Sequence, residues 1–182
     1  MRTHLLFAAA ALLAASPATG AVSVFGNTSA RMCFEAAEAR TATSISQVRI
    51  CDQALREDAL TEYDIVATHV NRGIIKARLG NLDEAIADYD AALRHNPDEA
   101  EAYLNKGFAL LHLPDAAPRA RPMFDSALAK KTRRPELAYY GRAVAHELTG
   151  QVRAAYRDYR QASRLDPKWR QPKAELARFK VN

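Results

Sequence analysis

Residues 70–97 read VNRGIIKARLGNLDEAIADYDAALRHNP. Most of the stretch has the composition of helix, yet Gly73 interrupts an apolar helical run and Gly80 follows seven residues later. A glycine inside a helix costs about 0.5–1 kcal/mol relative to alanine, so its place needs a reason. Spacing supplies one. Ala85 lies twelve residues after Gly73, Ala92 seven further on, and Pro97 five beyond that. The same intervals recur from Ala143 through Ala155 and Ala162 to Pro167. Tyr89 and Tyr159 each stand four residues after the first alanine, and Gly80 and Gly150 each stand seven after the starting small residue.

A middle copy begins at Gly107, 34 residues after Gly73. There Ala120, Phe124 and Ala127 keep their mutual spacing but arrive one residue late, Pro114 takes the place of the turn glycine, and Thr132 stands where the other copies carry proline. Each unit reads as two helices. The first runs to Leu79, Leu113 or Leu148, and the second starts near Asp83, Arg119 or Arg153. A proline beside Asn or Asp closes the outer copies, because the residue before proline disfavours helix. No segment alternates as a strand does.

This pattern resembles the tetratricopeptide repeat, a 34-residue helix-turn-helix unit. The resemblance rests on Gly73, Gly80, Ala85, Tyr89, Ala92 and Pro97, on Gly107, Ala120, Phe124 and Ala127, and on Ala143, Gly150, Ala155, Tyr159, Ala162 and Pro167. The departures are His69 where the family often has Trp, Lys76 where it often has Tyr, and the loose middle turn. The resemblance implies an all-α, right-handed α-solenoid in which stacked hairpins bury what one hairpin cannot. The expected units are repeats at 66–99, 100–135 and 136–169, the middle one irregular, and a capping helix at 170–182 with Trp169, Leu176 and Phe179 at helical spacing.

The front of the chain reads differently. Arg2, the apolar run Leu5–Ala15 and the small-residue exit SPATGA at 16–21 make up the three parts of a secretory signal peptide over residues 1–21, with cleavage after Gly20 or Ala21. The alternative is an uncleaved anchor, but eleven apolar residues fall short of the roughly 20 that span a bilayer. No later stretch has the character of a transmembrane segment. The expected location is outside the inner membrane, in the periplasm. Residues 22–30 read as a flexible segment, and 31–65 as a degenerate capping hairpin. In an oxidising compartment the two cysteines, Cys33 and Cys51, are expected to bridge. Cys51 precedes Ala54 by three residues, as Tyr89 precedes Ala92, so the bridge would replace aromatic packing in that hairpin. The alternative roles are catalytic or metal-binding thiols; the spacing is not C-x-x-C and no third cysteine or nearby histidine supports them.

Chemistry is hard to find. The histidines form no H-x-x-x-H pair, there is no glycine-rich phosphate loop and no G-x-S-x-G. Asp83, Glu84, Asp88 and Asp90 read as a helix start and its solvated face. The expectation is a non-enzymatic module with no metal or cofactor. In the family the first helix of each unit lines the concave face. The resemblance then implies a mostly apolar groove of Val70, Asn71, Ile74, Leu104, Asn105, Phe108, Leu111, Tyr140 and Val144, with Asn71 and Asn105 able to bond a peptide backbone. Its occupant is either a protein or peptide partner or the chain's own 22–30 segment, unless the groove is shared in a homo-oligomer. Charge offers a second surface. Residues 22–117 hold 9 Lys/Arg against 15 Asp/Glu, and residues 118–182 hold 16 against 6. Arg153, Arg157, Arg160 and Arg164 step along one helical stripe and could meet an acidic protein, an anionic lipid or an anionic polymer. An acidic front and a basic rear also allow head-to-tail self-association. Nucleic acid is disfavoured by export and by the lack of interleaved aromatics.

Overall fold

A computed structural model describes residues 20–24, 28–39, 43–57 and 59–179. All but the last two residues of the expected signal peptide lie outside that range. Among the described residues the regular structure is helical: α1 (Thr28–Glu38), α2 (Ile45–Glu57), α3 (Glu62–Arg78), α4 (Leu82–His95), α5 (Ala100–Leu111), α6 (Ala117–Ala129), α7 (Pro135–Leu148), α8 (Val152–Leu165) and α9 (Arg170–Leu176). They pair as hairpins α1/α2, α3/α4, α5/α6 and α7/α8, each packed on the next, and α9 closes the end against α8. The first helices of successive hairpins also touch one another. The result is an α-solenoid of helical hairpins.

Local chemistry sets the ends. Thr61 caps α3 by accepting from the Asp64 N–H at 3.1 Å. Gly80 and Gly150 turn the outer hairpins at φ +83° and +77°, the left-handed region that suits glycine. In the middle turn Asp115, one residue after Pro114, takes that conformation at φ 52°, which Asp tolerates better than most side chains. Pro118 sits in the first turn of α6 and Pro122 lies inside it, so one helical N–H is missing there.

Gly73 is explained by a ring. A Cβ at Gly73 would lie 2.5 Å from Tyr89 Cε1. The middle repeat uses one ring for two such contacts: Cβ atoms at Gly107 and Gly141 would come within 2.8 and 2.3 Å of Phe124. Tyr89, Phe124 and Tyr159 are all buried. The core divides in two, one part gathered around Val66, Val70, Ile74, Ile75 and Tyr89, the other around Leu104, Phe124, Tyr140 and Tyr159. In the capping hairpin Cys33 and Cys51 form a disulfide, with Cα atoms 5.0 Å apart and both residues fully buried. The closing helix α9 is shorter than 170–182. It is followed by Phe179, packed on Tyr156 and Tyr159, and by Arg178, paired with Glu147 and Glu175.

The reading of Asp88 as part of a solvated face is corrected. Asp88 is 3% exposed and accepts from Arg72 Nε at 3.0 Å, with Lys76 Nζ at 2.9 Å and His69 Nδ1 at 3.3 Å. Arg72 also reaches back to Asp52 on the preceding hairpin at 2.7 Å. Arg142 repeats the arrangement, with Nε to Asp158 and Nη1 to Asp125 on the preceding hairpin, both at 2.8 Å. In the middle repeat Lys106 replaces the arginine and keeps only the backward contact, to Asp90 at 2.5 Å. Asp52, Asp90 and Asp125 each stand two residues before Ala54, Ala92 and Ala127; two before Ala162 stands Arg160.

Candidate functional site: an occupied groove

The row of first helices does not stand empty. Residues 20–24 lie across it outside any helix, and Val22 and Val24 are buried in the same apolar cluster as Val66, Val70 and Ile74. Asn71, itself fully buried, holds Val22 by both backbone groups: the Val22 N–H donates to Oδ1 at 2.9 Å, and Nδ2 donates to the Val22 carbonyl at 2.8 Å. A side-chain amide thus acts as a short strand edge and reads backbone without regard to sequence. Arg133 Nη2 donates to the Ala21 carbonyl at 3.0 Å. Asn105 Nδ2 donates to the Glu101 carbonyl at 2.9 Å and lies 3.5 Å from the Gly20 carbonyl. The segment expected to be flexible from 22 is therefore seated as far as Val24, and helix begins at Thr28; residues 25–27 lie outside the described range.

Glu101 anchors the far end. Its Oε1 accepts from the Thr132 hydroxyl at 3.0 Å and from the Arg133 N–H at 2.7 Å. Its carboxylate is 1% exposed. Burial raises the neighbouring Glu99 carboxyl above its ordinary value, and the nearby Glu101 charge adds to that. Thr132, the residue that replaces the terminal proline, also accepts from the Arg134 N–H at 3.2 Å. That substitution was the visible signal of this site. The part played by Arg133 was not legible, because it reads as one member of a basic cluster.

The other expected groove residues are placed as follows. Leu104, Leu111, Tyr140 and Val144 are buried in the second cluster. Phe108 is half-buried and meets Phe124 edge-on at 5.1 Å. Tyr140 lies between Tyr159 at 5.5 Å and Trp169 at 4.8 Å, and burial pushes its phenol up. The structure thus brings Asn71 and Asn105 together on one segment and gives Leu104 and Tyr140 to the core. On α8, Arg153, Arg157, Arg160 and Arg164 are all exposed, with Arg160 over the Tyr156 ring at 5.8 Å. Among the described residues no helix is long and apolar enough to cross a membrane.

Comparison with known proteins agrees with the geometry. A family model described as TPR repeat matches residues 73–113, and one described as tetratricopeptide repeat matches residues 137–168. Among solved structures the chain is similar to MamA 41-end from Desulfovibrio magneticus RS-1, at 22% identity and TM-score 0.61, covering 72% of this chain and 71% of that one. It is similar to the MamA RS-1 ArsTM double mutant at 22% identity and TM-score 0.62 over the same shares. At this identity the likeness speaks for the fold. No curated protein matches the chain. Stacked hairpins, ring-on-glycine packing at 34-residue intervals and two matching family models identify tetratricopeptide repeats in this chain, at residues 73–113 and 137–168.

Proposed function

We propose that the chain is an exported, non-enzymatic scaffold of the cell envelope whose row of first helices takes an extended apolar segment. The observation that supports this reading is the seat of Val22, where Asn71 supplies both hydrogen bonds of a strand edge and Val70 and Ile74 belong to the apolar floor. The seated segment supports a groove that accepts small residues with valine at alternate positions, where both valines are buried. A protein partner of that kind displaces residues 20–24 or extends beyond them past Phe108.

The exposed arginines of α8 support a second reading, in which an acidic protein or an anionic surface binds the rear of the solenoid. The two separate in cells. Leu104 is core and unsuitable for substitution, so photo-crosslinkers are placed at half-buried Phe108 and at exposed Arg157. The groove reading expects capture of a protein from position 108 that survives Arg157→Glu with Arg160→Glu. Capture from position 157 alone, abolished by Arg160→Glu with Arg164→Glu, overturns it.

A further inference from the structure

We propose that Glu101 and Asn105 form a receptor for a primary α-ammonium group, and that its ligand is the chain's own amino terminus, freed by cleavage between Gly20 and Ala21. The proposal rests on the export reading above. It starts from two orphaned acceptors. Glu101 Oε2 and Asn105 Oδ1 are buried and have no hydrogen-bond donor. The two residues lie one turn apart on α5, at 1% and 2% exposure. A buried carboxylate oxygen without a donor is among the costlier arrangements in a protein interior, and here the neighbouring side-chain acceptor is also unmet.

Both face Gly20. A Cβ on Gly20 would lie 2.2 Å from Glu101 Oε2, so the carboxylate stands directly against the glycine backbone. In the uncleaved chain that backbone offers only neutral amides, and neither acceptor is satisfied. Hydrolysis of the Gly20–Ala21 bond places hydroxide on the Gly20 carbonyl carbon and a proton on the Ala21 nitrogen. At neutral pH that nitrogen takes a second proton and becomes an ammonium with three N–H donors. Departure of Gly20 clears the space before Oε2. The contacts downstream stay in place: Arg133 on the Ala21 carbonyl at 3.0 Å and Asn71 on Val22 at 2.9 and 2.8 Å. They fix the residues that follow, so the new terminus stays next to the place that Gly20 leaves against Oε2. Its charge also answers a carboxylate whose other cation, Arg133, is 53% exposed and lies 3.5 Å away.

The geometry distinguishes between neighbouring cleavage points. Cleavage after Ala21 would put the ammonium on the Val22 nitrogen, which already donates to Asn71, and would discard the Arg133 contact. Ala21 is therefore the first residue of the mature chain.

The test uses exported full-length protein. N-terminal sequencing is expected to begin Ala-Val-Ser-Val. The α-amine is then titrated by the pH dependence of its acetylation with acetic anhydride, read by mass spectrometry. It should titrate above the ordinary α-amino range of about 7.7–8.0, and Glu101→Gln should return it to that range. Should that variant fail to fold, the wild-type titration still decides, together with a chain retaining Gly20 as first residue, which should melt lower than the chain starting at Ala21. A protein starting at Ala21 with an ordinary amine, or with a raised one unmoved by Glu101→Gln, overturns the ammonium site and leaves the export reading standing. A protein that retains residues 1–20 overturns both.

Discussion

At the scale of the residue, the glycines were legible and their partners were not. Position and spacing marked Gly73 and Gly107 as places for a small residue, because a repeat reports what its neighbours demand. That a tyrosine ring covers the first, and that one phenylalanine serves Gly107 and Gly141 together, depends on how hairpins stack. Asp88 was misread for a related reason. On α4 alone it belongs to a charged face, but side chains of α3, its partner in the hairpin, close over it. Burial by itself would raise its carboxyl, yet hydrogen bonds from His69, Arg72 and Lys76 hold it down at about 2. Its folded value is depressed, so its contribution to stability is present above the unfolded value of about 3.9 and is lost as pH falls toward about 2. The contribution at neutral pH is about 2 kcal/mol. Urea unfolding from pH 5 to pH 2 should show that loss in the wild type and a flatter profile in Asp88→Asn, from a lower starting stability. Equal slopes for the two proteins would remove Asp88 from the account.

At the scale of the element, the outer hairpins follow their sequence closely, and the departures sit where special residues act. The middle turn was assigned to Pro114, but Asp115 adopts the left-handed conformation. Proline fixes its own φ in the negative range, so the reversal falls to its neighbour. The capping hairpin lacks a ring at the Cys51 position and holds itself by the bridge to Cys33. A loop of this length contributes about 3 kcal/mol by restricting the unfolded chain. Reduction, or Cys33→Ser with Cys51→Ser, should lower the unfolding free energy by about that amount. Hydrogen exchange should rise first in α1 and α2 and leave α7 and α8 protected, because in a stacked array each unit depends on its neighbours alone. Uniform loss of protection across all hairpins would show that the bridge supports more than the cap.

At the scale of the whole molecule, the solenoid was readable from period alone, whereas the occupied groove was one of two open alternatives. Periodicity reports the contacts that recur with it. The seating of residues 20–24 happens once, through Asn71, Asn105 and Arg133 from two different repeats, and leaves no rhythm in the chain. The cations on the first helices leave one that is easily overlooked. Arg72, Lys106 and Arg142 each fasten their hairpin to an aspartate on the hairpin before it, at Asp52, Asp90 and Asp125. The fastening runs one way, so the stack has a direction written in charge. At the equivalent place on α8 the aspartate becomes Arg160, and an incoming cation would meet another. Arg160→Asp should therefore increase self-association in light scattering at low salt, and an unchanged scattering mass would show that α9 alone closes this end. A solenoid with no such signal could accept further hairpins, or further copies, without limit. Here the coupling at Arg160 carries the opposite polarity, at the helix on which α9 packs.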